Sequence, residues 1–125
     1  VVAIFSQRLR DGVPLRVNAR RESGDDGCVR DYVYVGDVVQ ANLVAVAGER
    51  PPGTVHVGTG VGTSTRELAE ALKVRSGSAS ALEYGPPRAG DVERSVLEPD
   101  DHPERGDLTP LAAGLAETYA FFAER

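Results

Sequence analysis

Apolar residues at Val2, Phe5 and Leu9 share one helical face, and Asp11-Gly12 closes that element. After Pro14, Leu15-Arg16-Val17 predicts a short strand. Residues 18–28 are polar, with Gly24-Asp25-Asp26-Gly27 as a turn cluster. Tyr32 to Val35 is β-branched and aromatic, which predicts a second strand. Asp37 is the expected N-cap of a helix whose apolar face is Val38, Ala41 and Ala45, broadened by Val39, Leu43 and Val46. Arg50-Pro51-Pro52-Gly53 interrupts the chain before another expected strand, Thr54 to Val57. Ser64-Thr65-Arg66-Glu67 is a capping box that opens a helix reaching about Val74. Ser76 to Ser80 reads as a flexible connector, Ala81 to Tyr84 as a strand, and Pro86 to Asp91 as a proline-stiffened loop. Asp100 to Asp107 is a charged surface segment. Thr109-Pro110 starts the last helix, with Leu111, Leu115, Thr118 and Phe122 along one stripe and Tyr119 beside it. Strands alternating with about four helices predict an α/β chain, but the strands are few and short for a complete sheet.

Length and charge narrow the partners. A chain of 125 residues suits a single region able to bury roughly two-thirds of its unfolded surface. A net charge of −5 argues against a nucleic-acid surface, so a phosphate would have to be met by local arginines. No run approaches the ~20 apolar residues that cross a bilayer, and Arg8, Arg10 and Asp11 come too early for a signal-peptide core. The single Cys28 allows neither an intramolecular disulfide nor a cysteine-built zinc site, which fits a reducing cytoplasm. The chain contains no methionine and starts inside a helical pattern, as a fragment would.

Several stretches carry candidate chemistry. Gly58-Thr59-Gly60-Val61-Gly62 follows an expected strand and precedes a helix, but the third glycine of a dinucleotide fingerprint is replaced by Thr63. A structural turn is the preferred reading. Arg30-Asp31 offers a planar fork for a phosphate beside a carboxylate that can orient it or a hydroxyl, and a solvated surface pair is the plainer alternative. Arg88-Ala89-Gly90-Asp91 repeats that chemistry on a stiff loop, which costs less entropy to order around a ligand. His56 reads as a structural histidine within a strand and His102 as solvated, too far apart to build a metal site. Ser64 and Thr65 belong to a helix cap, and no serine or cysteine triad is present. Glu22, Asp25 and Asp26 show no reason to titrate abnormally.

The run Gly27-Cys28-Val29-Arg30-Asp31-Tyr32-Val33-Tyr34-Val35, followed by Asp37 and Ala41-Asn42, resembles a segment in the C-terminal half of the extended short-chain dehydrogenases. Among these it is most similar to the UDP-glucose 4-epimerases. Val55 to Gly60 resembles that family's N-x-G-T-G strand and turn, and Arg88 to Asp91 its R-x-G-D motif. Pro110, Leu111, Gly114, Leu115 and Thr118 resemble its closing helix. These motifs stand in the family's order over nearly the whole chain.

The resemblance implies a fold and a site. The fold is α/β: the C-terminal portion of an extended short-chain dehydrogenase, with the NAD-binding Rossmann half absent. Residues 1–125 would form one nucleotide-sugar-binding region. Arg30, with Arg88 and Asp91, would bind the diphosphate and ribose of a UDP-sugar, with Val17 and Asn18 at the nucleotide. Ser95 is similar in position to the residue lining the sugar pocket, and a serine there leaves room for an N-acetylated sugar. In the family, bound NAD takes a hydride from C4 while a tyrosine takes the hydroxyl proton. The catalytic Tyr-x-x-x-Lys pair is absent, since the single Lys73 follows Ala69 by four residues. No catalytic residue, metal or NAD is therefore expected on this chain, and it should be inactive alone. A homodimer, or pairing with the missing NAD-binding half, is the implied assembly.

Other departures stand beside these. Asn18-Ala19 replaces an aromatic–glycine pair, His56 replaces an asparagine, and Glu104 to Leu108 replaces a Leu-Gly-Trp segment. A dehydratase or reductase of the same scaffold, and a stand-alone non-catalytic binding module, are the rival readings. Cys28 between Gly27 and Val29 favours the epimerases.

Overall fold

The computed structural model describes residues 1–49, 53–98 and 108–124. The first helix, α1 (Val2–Arg10), buries Phe5, Ser6 and Leu9 and ends at Asp11, as its apolar spacing predicts. Gly12 then takes a φ of 67°, a left-handed value open to glycine. Strand β1 (Leu15–Asn18) alternates buried and more exposed positions, with Leu15 and Val17 both at 0% exposure. It pairs in parallel with β4 (Leu82–Gly85).

A second, three-stranded sheet has the order β3-β2-β5. Here β2 (Val29–Asp31) runs antiparallel to β3 (Gly62–Ser64) and parallel to β5 (Arg94–Ser95). Helix α3 (Thr65–Ser76) starts from the predicted capping box, in which Ser64 Oγ accepts from the Glu67 amide while Glu67 Oε2 accepts from the Ser64 amide. It ends on Gly77 in the left-handed region. Helix α4 (Leu111–Ala123) buries Gly114 and Leu115. The core is Phe5, Leu9, Leu15, Leu68, Ala69, Leu72 and Leu115. Helices α1, α3 and α4 pack on one another around it, and each fully buried leucine contributes about 1.5–3 kcal/mol.

Four expectations need correction. The strand assigned to Tyr32–Val35 lies earlier, at Val29–Asp31, because the ladder with β3 and β5 stops at Asp31. Val35 already opens helix α2 (Val35–Val46). Asp37 does not cap that helix. Tyr34 occupies the cap position, and Asp37 sits in the first turn, where its carboxylate accepts from the Thr109 amide and hydroxyl at 2.9 and 2.8 Å. Residues 54–57 form no strand, and no described strand pairs with them. Extended backbone becomes a strand only where a neighbour answers its N–H and C=O groups.

Smaller differences follow. His56 is exposed and lies outside the described strands. The Ser76–Ser80 connector is hydrogen-bonded, with Ser78 and Ser80 amides donating to the hydroxyls of Ser76 and Ser78. The last helix begins at Leu111, one residue past Pro110. The expectations for Arg50-Pro51-Pro52, for the Asp100–Asp107 segment and for His102 within it lie outside the described residues.

Candidate functional site

Parallel pairing brings two of the candidate residues into one rung. Arg30 on β2 stands opposite Ser95 on β5, and Thr63 on β3 flanks Arg30 on the other side. Arg30 is half-buried, and its Nη1 donates to its neighbour's carbonyl, Val29 O, at 2.8 Å. Ser95 is exposed beside it. The loop leading into β5 carries Arg88 and Asp91 in a tight turn, closed by the Asp91 amide on the Arg88 carbonyl at 3.3 Å. Both are exposed, and Gly90 between them has a φ of 84°.

Val17 and Asn18 occupy the carboxyl end of β1, against Tyr84 and Gly85. Val17 is buried in the core at 0% exposure, so the structure leaves no open surface at that position. Asn18 is half-buried. From Gly85, at the end of β4, the chain runs through the 86–93 loop to Arg94, at the start of β5.

Asp31, read from sequence as a group orienting a ligand, serves the fold. Its carboxylate accepts from the Thr59 amide (3.0 Å), the Thr59 hydroxyl (2.5 Å) and the Gly60 amide (2.9 Å). Burial raises its pKa, but these bonds and one from the Leu97 amide hold it below the usual carboxylate value. A Cβ on Gly58 would stand 2.9 Å from Asp31 Oδ2 and 2.8 Å from Leu97, so this glycine permits the close approach. The amides of Thr59 and Gly60 that a phosphate loop would offer are thus engaged by Asp31, and Gly62 and Thr63 lie within β3. These residues do not fit a dinucleotide cradle.

The polar run after β1 is tied down by charge. Asp25 accepts from the amides of Arg20, Arg21, Glu22 and Gly27 at 2.8–3.1 Å. Burial opposes its ionisation, yet the four amides hold its pKa far below the ordinary value. Asp25 therefore does titrate abnormally, contrary to the sequence expectation. Arg21 pairs with Glu93 at 2.6 Å and links this loop to the approach to β5. Gly27, at a φ of 75°, nests against Asn18 O and Thr65, where a Cβ would come within about 3.0 Å of both. Sequence gave no sign of Arg21–Glu93, because the partners lie 72 residues apart.

A separate cavity of about 230 Å³ is lined by Tyr32, Thr59, Val61, Thr63 and the Leu108–Leu111 stretch. None of the six candidate residues lines it. Burial pushes the Tyr32 hydroxyl above its usual pKa. Among the described residues, no cluster of histidine, cysteine, aspartate or glutamate could hold a metal ion, and no helix is long and apolar enough to cross a membrane.

No family model matches the chain. Individual proteins do. The chain is 41% identical over 129 residues to a UDP-glucose 4-epimerase of Mycolicibacterium smegmatis, a match covering 100% of this chain and 39% of that protein. The Thermus thermophilus UDP-glucose 4-epimerase, solved in complex with NAD, superposes with a TM-score of 0.82 at 42% identity, over 97% of this chain and 39% of that one. The Thermotoga maritima UDP-glucose 4-epimerase, solved with UDP-glucose, gives a TM-score of 0.80 at 36% identity, over 98% and 39%. This chain belongs to the NAD-dependent epimerase/dehydratase family and corresponds to its C-terminal part. It spans about two-fifths of the length of these three relatives. Its homologues are isomerases of the short-chain dehydrogenase type, and NAD is the cofactor of the parent family.

Proposed function

We propose that this chain is the nucleotide-sugar grip of a UDP-sugar 4-epimerase and has no epimerase activity by itself. The observation that carries the reading is the single rung holding Arg30 beside Ser95, reached directly from the Arg88–Asp91 turn. Arg30 and Arg88 supply guanidinium forks for the two phosphates, each charge-assisted hydrogen bond being worth about 1.5–3 kcal/mol. Asp91 accepts a hydroxyl of the ribose. Val17 and Asn18 border the nucleotide, and Ser95 borders the sugar.

The redox step belongs elsewhere in this reading. NAD, when bound by the whole enzyme, supplies the hydride chemistry. The residues here bind and orient, and no tyrosine of this chain has a lysine four positions on. The missing partner is an NAD-binding half, whether joined to this chain or separate. The half-buried, unpaired thiol of Cys28 suits a cytoplasmic setting.

Calorimetric titration with UDP, with NAD as the control, tests the grip. Heat with UDP that falls at least about tenfold in affinity in Arg88→Ala, and none with NAD, is the expected result. A folded chain that ignores UDP would sink the reading. Ser95 is tested by comparing UDP-glucose with UDP-N-acetylglucosamine in wild type and Ser95→Tyr. The tyrosine should penalise the N-acetylated sugar selectively, and equal discrimination in both proteins would remove Ser95 from the sugar pocket.

A further inference from the structure

Ligands of open α/β sheets settle beyond the carboxyl ends of parallel strands. At that end of β1 and β4, Asn18 stands opposite Gly85, and the Ala19 amide donates to the Gly85 carbonyl at 2.9 Å. Arg16 lies two residues back on the same face of β1, with exposed Glu83 opposite it. Its Nε donates to Asn18 Oδ1 at 3.1 Å. A Cβ on Gly85 would meet Arg16 Nε at 2.7 Å, Arg16 Nη2 at 2.8 Å and Asn18 Oδ1 at 2.8 Å. The two similar distances bring the Nε and Nη2 side of the guanidinium against the bare backbone of Gly85. That glycine has no left-handed φ, so what it provides here is space.

The side chain so held is exposed. Tyr84 alternates to the opposite face of β4, so it cannot supply the flat surface at this position. Gly85 runs straight into Pro86, Pro87 and Arg88. We propose that Arg16 is the plate on which the nucleobase stacks. This assignment rests on the nucleotide-sugar reading and adds to it a specificity-determining residue. A guanidinium plane stacks on the π face of a base, where an ammonium offers only a point charge. Asn18 fixes the plane through Nε, and Arg88, three residues beyond Gly85, meets the diphosphate.

The test separates base from phosphate. UDP and inorganic pyrophosphate are titrated calorimetrically into wild type, Arg16→Ala, Arg16→Lys and Arg88→Ala. Both Arg16 variants should bind UDP about tenfold more weakly and bind pyrophosphate as wild type does, whereas Arg88→Ala should weaken both ligands. In wild type, the Arg16 Nε–H proton resonance should move upfield with UDP, under the ring current of the base, and not with pyrophosphate. Wild-type UDP affinity in Arg16→Lys would show that charge suffices and overturn the stacking role. Wild-type affinity in Arg16→Ala would remove Arg16 from the site while leaving the nucleotide-sugar reading intact. A folded wild type that gives no heat with UDP overturns that reading, and this assignment with it.

Discussion

Helices α2 and α3 have the same length, 12 residues each, and opposite fates. α3 carries arginines, glutamates and a lysine, yet it buries Leu68, Ala69 and Leu72 completely. α2 is the more apolar along its length and buries nothing. Val46 is 86% exposed, Val35 67% and Leu43 57%. In α3 the leucines fall on one stripe that faces α1 and α4, and its charges face water. In α2 apolar residues surround the helix, a pattern suited to burial on several sides. At its start Tyr34, the cap residue, rests on Gly114, and Asp37 in the first turn holds Thr109. Residues 54–57, which belong to no described strand, come after α2 in the chain. Composition says how much apolar surface a helix has, whereas burial requires another element to meet it.

The comparison breaks most visibly in the core. Leu72→Ala should cost about 2–5 kcal/mol, since the truncated side chain leaves a cavity among Phe5, Leu15 and Leu115. Leu43→Ala on α2 should cost less than about 0.5 kcal/mol, as expected of an exposed site. Urea unfolding of both variants measures this. Comparable losses would mean that α2 is packed in solution, and the contrast would fall.

How much of this was legible in the sequence differs between the two helices. The capping box and the leucine spacing are local signals, so α3 could be read to within two residues of its observed end. The helical stretch of α2 was equally readable, but its exposure was not, because periodicity reports a face and never its partner. Tyr32–Val35 was taken for a strand because its residues suit one. The true strand, Val29–Asp31, is fixed by ladders to residues 62–64 and 94–95, and such pairing is invisible to a local window. Asp37 was assigned a local cap and Asp31 a ligand, whereas their partners are Thr109 and Thr59, 72 and 28 residues away. For the candidate residues the structure gives placement alone: Arg30 pairs with Ser95 across β2 and β5, and Arg88 and Asp91 share one turn. Arg16 escaped notice, although it stands two positions before Asn18 and so shares its face.

The second prediction concerns the polar loop after β1, where amides around a carboxylate do what packing does in the core. The folded pKa of Asp25 lies below its unfolded value of about 3.9. Its contribution is therefore complete above about pH 4 and drains away as pH falls toward the folded value. Asp25→Asn should lose about 1 kcal/mol at pH 7, a figure reduced for solvent screening. It should also flatten the acid limb of stability measured between about pH 5 and pH 2. An acid limb identical to that of wild type would count against the amide cluster.

The third prediction isolates the tether of α2. Thr109→Val removes the hydroxyl bond to Asp37 Oδ1 and keeps the amide bond to Oδ2, so the global cost should be about 0.5–1 kcal/mol. The larger effect should be local: amide exchange in α2 speeds up while that of α3 stays at the global rate. Equal protection of the two helices in the variant would show that the contrast between them does not depend on this tether.

The smallest effect on stability and the sharpest on behaviour should come from charging the bare face. Leu43→Glu with Val46→Glu places two carboxylates where no described side chain is buried, so unfolding free energy should change by less than about 0.5 kcal/mol. An exposed apolar face drives association, and wild type should therefore sediment as a concentration-dependent mixture that the charged variant turns into a monomer. If wild type is already monomeric at high concentration, the face of α2 is no stickier than ordinary surface. If the charged variant instead loses its core stability, the face is covered in solution by this chain itself, and the division between a packed half and a bare half disappears.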